Sequence, residues 1–265
     1  MTNSAHDPSI LRQQYGDGDR LAARQALWRY RSGPALTPTA LDLAGLAGPE
    51  LIVDVGCGRG TYLAELRRRG HGGPLVGLDL SAGMARISAP YGWTAVTDVT
   101  ALPLRTGVAD VVLCMHMLYH VPAVPAAIAE LRRVVAPGGT VVVATNSVGH
   151  NHEARTVLAG AAEEVTGGPV RTDWDTSRFS IDIARAALAV EFDVVQVHDL
   201  TDSFPVPDPD AVLGYLASMP PETVGLREGP LWMRVLELAG ERVAARIASH
   251  GSFQVTSRAA VLLAR

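Results

Sequence analysis

Between residues 51 and 145 the sequence alternates short apolar runs with amphipathic stretches, and few folds can accommodate that rhythm. The runs at 51–55, 75–80, 93–97, 110–115 and 140–144 are strand-length and mostly apolar, as strands buried on both faces of a parallel sheet are. Between them, 61–69 reads as a helix ended by Gly70, and Ser81 is placed to cap another. Val124, Ile128, Leu131 and Val135 recur at helical spacing, and Pro137, Gly138 and Gly139 mark a turn. Strands and helices in this order predict βαβ units and a doubly wound α/β sheet.

The flanks read differently. Residues 1–45 are expected to form a helical N-terminal cap, broken by Gly16, Gly18, Gly33 and Pro34. A cofactor-binding core then runs over 46–145, a helical insertion over 146–190, and a core strand falls within 191–200, at 192–197. A helical lid over 201–250 holds two helices, one starting at Asp208-Pro209, a cap followed by a first-turn proline. Residues 251–265 carry the final core strand, at 253–263.

Composition excludes several classes. The net charge is −4, and no like-charge run exceeds Arg67, Arg68 and Arg69, so the basic footprint that grips a phosphate backbone is missing and a nucleic-acid partner is disfavoured. Cys57 and Cys114 are the two cysteines, too few for a disulfide framework, which fits a reduced cytoplasm. No stretch approaches the roughly 20 apolar residues that span a bilayer, and the polar N-terminus lacks a signal-peptide pattern. All 23 basic residues are arginine, as in proteins from GC-rich genomes.

The turn Asp54-Val-Gly-Cys-Gly-Arg-Gly60 joins the first strand to its helix. Glycines there let a ligand approach the backbone and the helix-start amides. Gly56 and Gly58 match the first two glycines of the dinucleotide fingerprint, but Thr61 stands where its third belongs. Asp54, just before the turn, is a poor neighbour for a diphosphate. Asp79 ends the second strand, 19 residues past Gly60, where a carboxylate can accept both ribose hydroxyls. Asp98 follows the third strand, placed to reach an adenine amino group while Val99 packs against its ring. Each has a structural alternative: Asp54 as acceptor for turn amides, Gly60 as a close-packing point, Met84 as a core residue.

The segments DVGCGRG (54–60), GLDLSAGM (77–84), TDVTALPL (97–104), ADVVLCMHMLYHV (109–121) and LRRVVAPGGTVVVAT (131–145) resemble the successive motifs of class I S-adenosylmethionine-dependent methyltransferases. The resemblance implies a Rossmann-like, seven-stranded, mostly parallel sheet whose last strand is antiparallel. It implies S-adenosyl-L-methionine as cofactor and S-adenosyl-L-homocysteine as product. Gly56 and Gly58 would line the methionine portion, Asp79 the ribose, and Asp98, Val99 and Met84 the adenine, with Asp54 and Leu80 also among the cofactor-binding residues. Met115 would touch the methionine or adenosyl group, and Tyr15, on a covering N-terminal helix, the cofactor carboxylate.

Methyl transfer from a sulfonium depends chiefly on alignment, which can supply about 7–11 kcal/mol; a general base is optional. His120 is the first candidate for one, with His116 and His152 behind it. No metal site is expected. The reading is a methyltransferase acting on an oxygen, nitrogen or carbon of a small molecule, in secondary metabolism, as a monomer or homodimer. The rivals are a tRNA or rRNA methyltransferase, a nicotinamide oxidoreductase, and a cofactor-bound enzyme that does not methylate.

Overall fold

The computed structural model describes residues 27–174 and 178–265; Tyr15 lies outside them. The strands are β1 (Ile52–Val55), β2 (Leu75–Asp79), β3 (Trp93–Val96), β4 (Ala109–Met115), β5 (Val135–Asn146), β6 (Val195–Asp199), β7 (Asp202–Val206), β8 (Phe253–Ser257) and β9 (Ala259–Ala264). The helices are α1 (Leu36–Ala44), α2 (Thr61–Arg68), α3 (Ala82–Ser88), α4 (Val124–Val134), α5 (His152–Thr166), α6 (Ile181–Leu188), α7 (Pro209–Ala217) and α8 (Pro230–His250). They divide between two compact units. One holds the described residues 27–33, 149–174 and 201–258; the other holds 34–148, 178–200 and 259–265.

The second unit is the α/β core. Its seven strands lie in the order β3-β2-β1-β4-β5-β9-β6. All neighbours are parallel except β9, which runs antiparallel to both β5 and β6. Side chains alternate across each central strand, because successive Cβ atoms point to opposite faces. Val53, Val112, Val141, Val143 and Leu262 join one buried layer with Ile128 and Leu131 of α4 and Leu188 of α6. Ile52, Leu113, Val142, Val261 and Leu263 join the other with Leu41 of α1 and Leu63 and Leu66 of α2. A sheet covered on both faces explains why its strands read as near-continuous apolar runs. The chain leaves β1 toward β2 and β3, then returns to build β4 and β5 on the other side. That reversal of strand order falls between β1 and β4, and in folds of this kind ligands bind outside the carboxyl ends of the strands at such a point.

The first unit packs α5, α7 and α8 against the antiparallel ribbon β7–β8. Leu158, Leu216, Val235, Ala239, Val243, Phe204 and Phe253 form its buried centre. Asp208 caps α7 as expected, accepting from the Asp210 amide at 3.0 Å.

The architecture departs from the sequence reading in its segment boundaries. The final strand is two: β8 joins the ribbon, and β9 enters the main sheet after a break at Arg258. The stretch 201–250 supplies β7 as well as helices. Within 146–190, α5 belongs to the first unit, whereas α6 packs on β5, β6 and β9 of the second. From the N-terminal region, α1 is a layer helix of the core, against α2, β5 and β9. The later core strand begins at Val195 rather than at 192. Pro137, Gly138 and Gly139 lie in the irregular start of β5, where its register with β4 shifts. Among the described residues no helix is long and apolar enough to cross a membrane.

Candidate active site

The turn between β1 and α2 takes its shape from three left-handed glycines, Gly56, Gly58 and Gly60, at φ 74°, 53° and 78°. Their surroundings differ. A Cβ on Gly60 would lie 2.9 Å from Cβ of Ser88 and 3.0 Å from the Tyr91 ring, so Gly60 is a packing point between the turn and α3. A Cβ on Gly56 would meet Met117 Cγ at 2.8 Å, and one on Gly58 would meet nothing within 4 Å. Open space therefore adjoins Gly58. The Gly56 and Cys57 amides donate to the Leu78 carbonyl at 2.7 and 3.0 Å, anchoring the turn to β2.

Asp79 closes β2 and holds the turn from the other side. Its Oδ2 accepts from the Gly58 amide and its Oδ1 from the Ser81 amide, each at 2.8 Å. Burial raises its pKa, opposed by the amides of Ser81, Gly58 and Leu80. Leu80 is half-buried. Ser81 caps α3 with a long contact, 3.4 Å from the Met84 amide.

Asp54 is the unusual acid. It is 1% exposed, and neither carboxylate oxygen has a hydrogen-bond partner among the described residues. Burial, with the Asp79 charge adding, pushes it up to about 8. The turn amides thus do not satisfy it. Cys57 is likewise pushed up to about 12, by burial first and the Asp54 charge second, so no thiolate nucleophile forms there.

Beyond β3, Asp98 is exposed, and its Oδ1 accepts from the Thr100 amide at 2.9 Å and hydroxyl at 2.8 Å. Oδ2 carries neither bond. Val99 is buried in the same apolar cluster as Leu78. Met84 and Met115 are both buried, and Met84, at 1% exposure, offers almost no free surface.

The ends of β4 and β5 gather the remaining polar groups. His116 follows β4 with left-handed backbone (φ 56°), and its buried Nδ1 has no partner among the described residues. Burial, then the neighbouring His120, lowers its pKa to about 4. His120 ends a 3-10 turn (Leu118–His120), with Tyr119 edge-on at 4.5 Å between centroids. The two histidines therefore share no α-helical face, and among the described residues no cluster of three His, Cys, Asp or Glu could hold a metal. His152 opens α5 in the first unit, exposed, with Nδ1 3.4 Å from Glu153.

The sequence reading assigned no role to Met117, which packs on Gly56, or to Asn146, the last residue of β5, whose buried Oδ1 also lacks a partner among the described residues. The signal for Asn146 was present: a polar residue ending a buried strand, as Asp79 does.

Residues 53–143 match the methyltransferase domain family. A ubiquinone biosynthesis O-methyltransferase of Cupriavidus pinatubonensis is 31% identical over 60% of this chain and 66% of its own length. The chain belongs to the class I S-adenosylmethionine-dependent methyltransferases. A 23S rRNA (guanine(748)-N(1))-methyltransferase of Streptomyces fradiae is 34% identical over 50% of this methyltransferase and 48% of its own length. Matches to the first curated relatives thus span just under two thirds of their lengths, and for the rRNA enzyme about half. A crystal structure described as a methyltransferase from an antibiotic biosynthesis pathway in Anabaena variabilis shares the fold of this methyltransferase. Its TM-score is 0.63 at 16% identity, over 89% of this chain and 98% of that one.

Proposed function

We propose that this methyltransferase moves a methyl group from S-adenosylmethionine to an oxygen, nitrogen or carbon atom of a small molecule, in secondary-metabolite biosynthesis. Asp54 carries the reading. A buried carboxyl with both oxygens unpaired is costly unless a ligand completes it, and the cofactor's ammonium is a suitable partner; a diphosphate is not. Open space at Gly58 leaves room for the methionine portion beside the backbone.

When bound, the cofactor supplies a methyl activated by a positive sulfonium. The residues of this chain hold and orient it. Gly56 and Gly58 line its amino-acid end beside Asp54, and Asp79 keeps lone pairs for the ribose hydroxyls after accepting one amide on each oxygen. Leu80 lies alongside the ribose. Asp98 Oδ2, with Val99, takes the adenine, Met84 backing that site from the core, and Met115 takes the adenosyl or methionine group. His120 and His116 stand at the end of β4, where a proton from the acceptor can be received.

The rRNA relative favours a second reading, a nucleic-acid substrate. Electrostatics weigh against it. Arg68 and Arg69 pair with Glu65 at 2.6 and 2.9 Å, and Arg69 also pairs with Asp42, so two residues of the longest basic run are neutralised within the fold.

Calorimetric titration tests the proposal. S-adenosylhomocysteine should bind the purified chain and NAD should not; no binding, or equal binding of both, overturns it.

A further inference from the structure

The ends of β4 and β5 hold a pair of polar atoms that the cofactor roles leave unused. His116 Nδ1 and Asn146 Oδ1 are each sealed from solvent without a hydrogen-bond partner among the described residues. The two strands are adjacent and parallel, with Met115 beside Ala144, and the His116 amide donates to the Ala144 carbonyl at 2.9 Å. Both residues therefore stand one strand apart at the carboxyl edge of the sheet. His116 also holds left-handed backbone, which glycine would adopt without strain. A side chain kept there at that cost, and left unpaired inside the protein, is built for a ligand.

We propose that His116 Nδ1 and Asn146 Oδ1 seat the methyl-accepting group, and that this group is an O–H or N–H rather than a carbon. The inference rests on the methyltransferase reading above. An amide oxygen accepts, and so does the Nδ1 of an imidazole whose proton is on Nε2. Burial keeps that ring neutral at pH 7. Two acceptors at adjacent strand ends call for a donor; a carbon acceptor would leave both unpaired. In the step, a lone pair on the acceptor oxygen or nitrogen forms the bond to the methyl carbon. The carbon–sulfur bond breaks with its pair going to sulfur, and the acceptor's proton passes to His116 Nδ1 and then to water. The products are the methyl ether or methylamine and the thioether.

The test uses the full chain with 15N-labelled histidine rings, saturated with S-adenosylhomocysteine. It is titrated with two matched probe pairs, phenol against anisole and aniline against N,N-dimethylaniline. Phenol and aniline should bind several-fold tighter than their methylated partners and shift the His116 ring nitrogens. Asn146→Ala and His116→Asn should each abolish that preference while S-adenosylhomocysteine still binds. Asparagine tolerates the left-handed region, so the second variant keeps the backbone. Absence of a preference, through equal binding or none, overturns the proposal, as does a preference that survives both variants. Failure to bind S-adenosylhomocysteine at the outset would instead refute the cofactor reading. Independently, mass spectrometry of extracts incubated with methyl-labelled cofactor should show O- or N-methylation. His116→Asn should slow that turnover by about 10²-fold, the lower end for a lost general base; a C-methylated product overturns the seat.

Discussion

The Gly58 amide donates to Asp79 Oδ2 at 2.8 Å, so the acid at the tip of β2 is fixed by the turn it faces. Together with the Ser81 amide on Oδ1, this bond orients the carboxylate before any ligand arrives.

Removing that carboxylate strands two amides and takes away the proposed ribose acceptor. Asp79→Ala should weaken S-adenosylhomocysteine binding by about 1–3 kcal/mol, the usual penalty for unpaired buried polar groups. Calorimetry reads this directly, and an unchanged dissociation constant would move the ribose elsewhere.

Asp54 and His116 should leave opposite signatures on stability. Asp54 is raised to about 8 in the folded protein and stays protonated where the unfolded chain has ionised, so its contribution to stability falls as pH rises from about 4 to 8. His116 is lowered to about 4 and stays neutral where the unfolded chain has gained a proton. Its contribution is therefore lost as pH falls from about 6.5 toward 4. Melting curves of Asp54→Asn and His116→Asn, each subtracted from the parent, should slope in opposite directions across these windows. Parallel difference curves would contradict both assignments.

If an ammonium meets Asp54, binding must ionise the carboxyl. At pH 6.5 the titration should release about one proton, visible as a dependence of the apparent enthalpy on buffer ionisation heat. Asp54→Asn should abolish it.

The glycines of the turn should separate by phenotype. Gly60→Ala brings a methyl to 2.9 Å from Ser88 Cβ and 3.1 Å from its Cα, which should cost about 1–3 kcal/mol in urea unfolding. Gly58→Ala meets no atom within 4 Å, so left-handed strain of about 1–2 kcal/mol is its direct cost. Its larger effect should be on S-adenosylhomocysteine affinity.

A chain whose Arg68 and Arg69 are paired internally should elute early from heparin. Retention that falls steeply with salt, the mark of many phosphate contacts, would revive the nucleic-acid reading.

The sheet was legible in the sequence because strands covered on both faces leave continuous apolar runs, and the acids at 54, 79 and 98 punctuate their ends. The split at Arg258 was harder to see. Phe253, Val255 and Ser257 alternate with more exposed neighbours, as a ribbon strand does, whereas every residue from Ala259 to Ala264 is buried. Joined end to end, they read as one strand. Which layer α1 covers depends on where Leu41 finds partners, and no local pattern encodes that. His152 sat close in sequence to the candidate site, yet proximity along the chain did not reveal that α5 belongs to the other unit. The orphaned oxygens of Asp54 could not be read at all, since an unpaired atom is a property of packing.

β9 fills the slot between β5 and β6, and it is drawn from residues 259–264. During synthesis, therefore, β5 is made with one flank unbonded and β6 with no sheet neighbour. Both wait for a wedge that arrives more than fifty residues after β6. Until then the nascent chain carries raw β-edges, the kind that recruit strands from other molecules. Ribosome-bound intermediates of this protein should depend on chaperone shielding until residues 259–264 have emerged and paired.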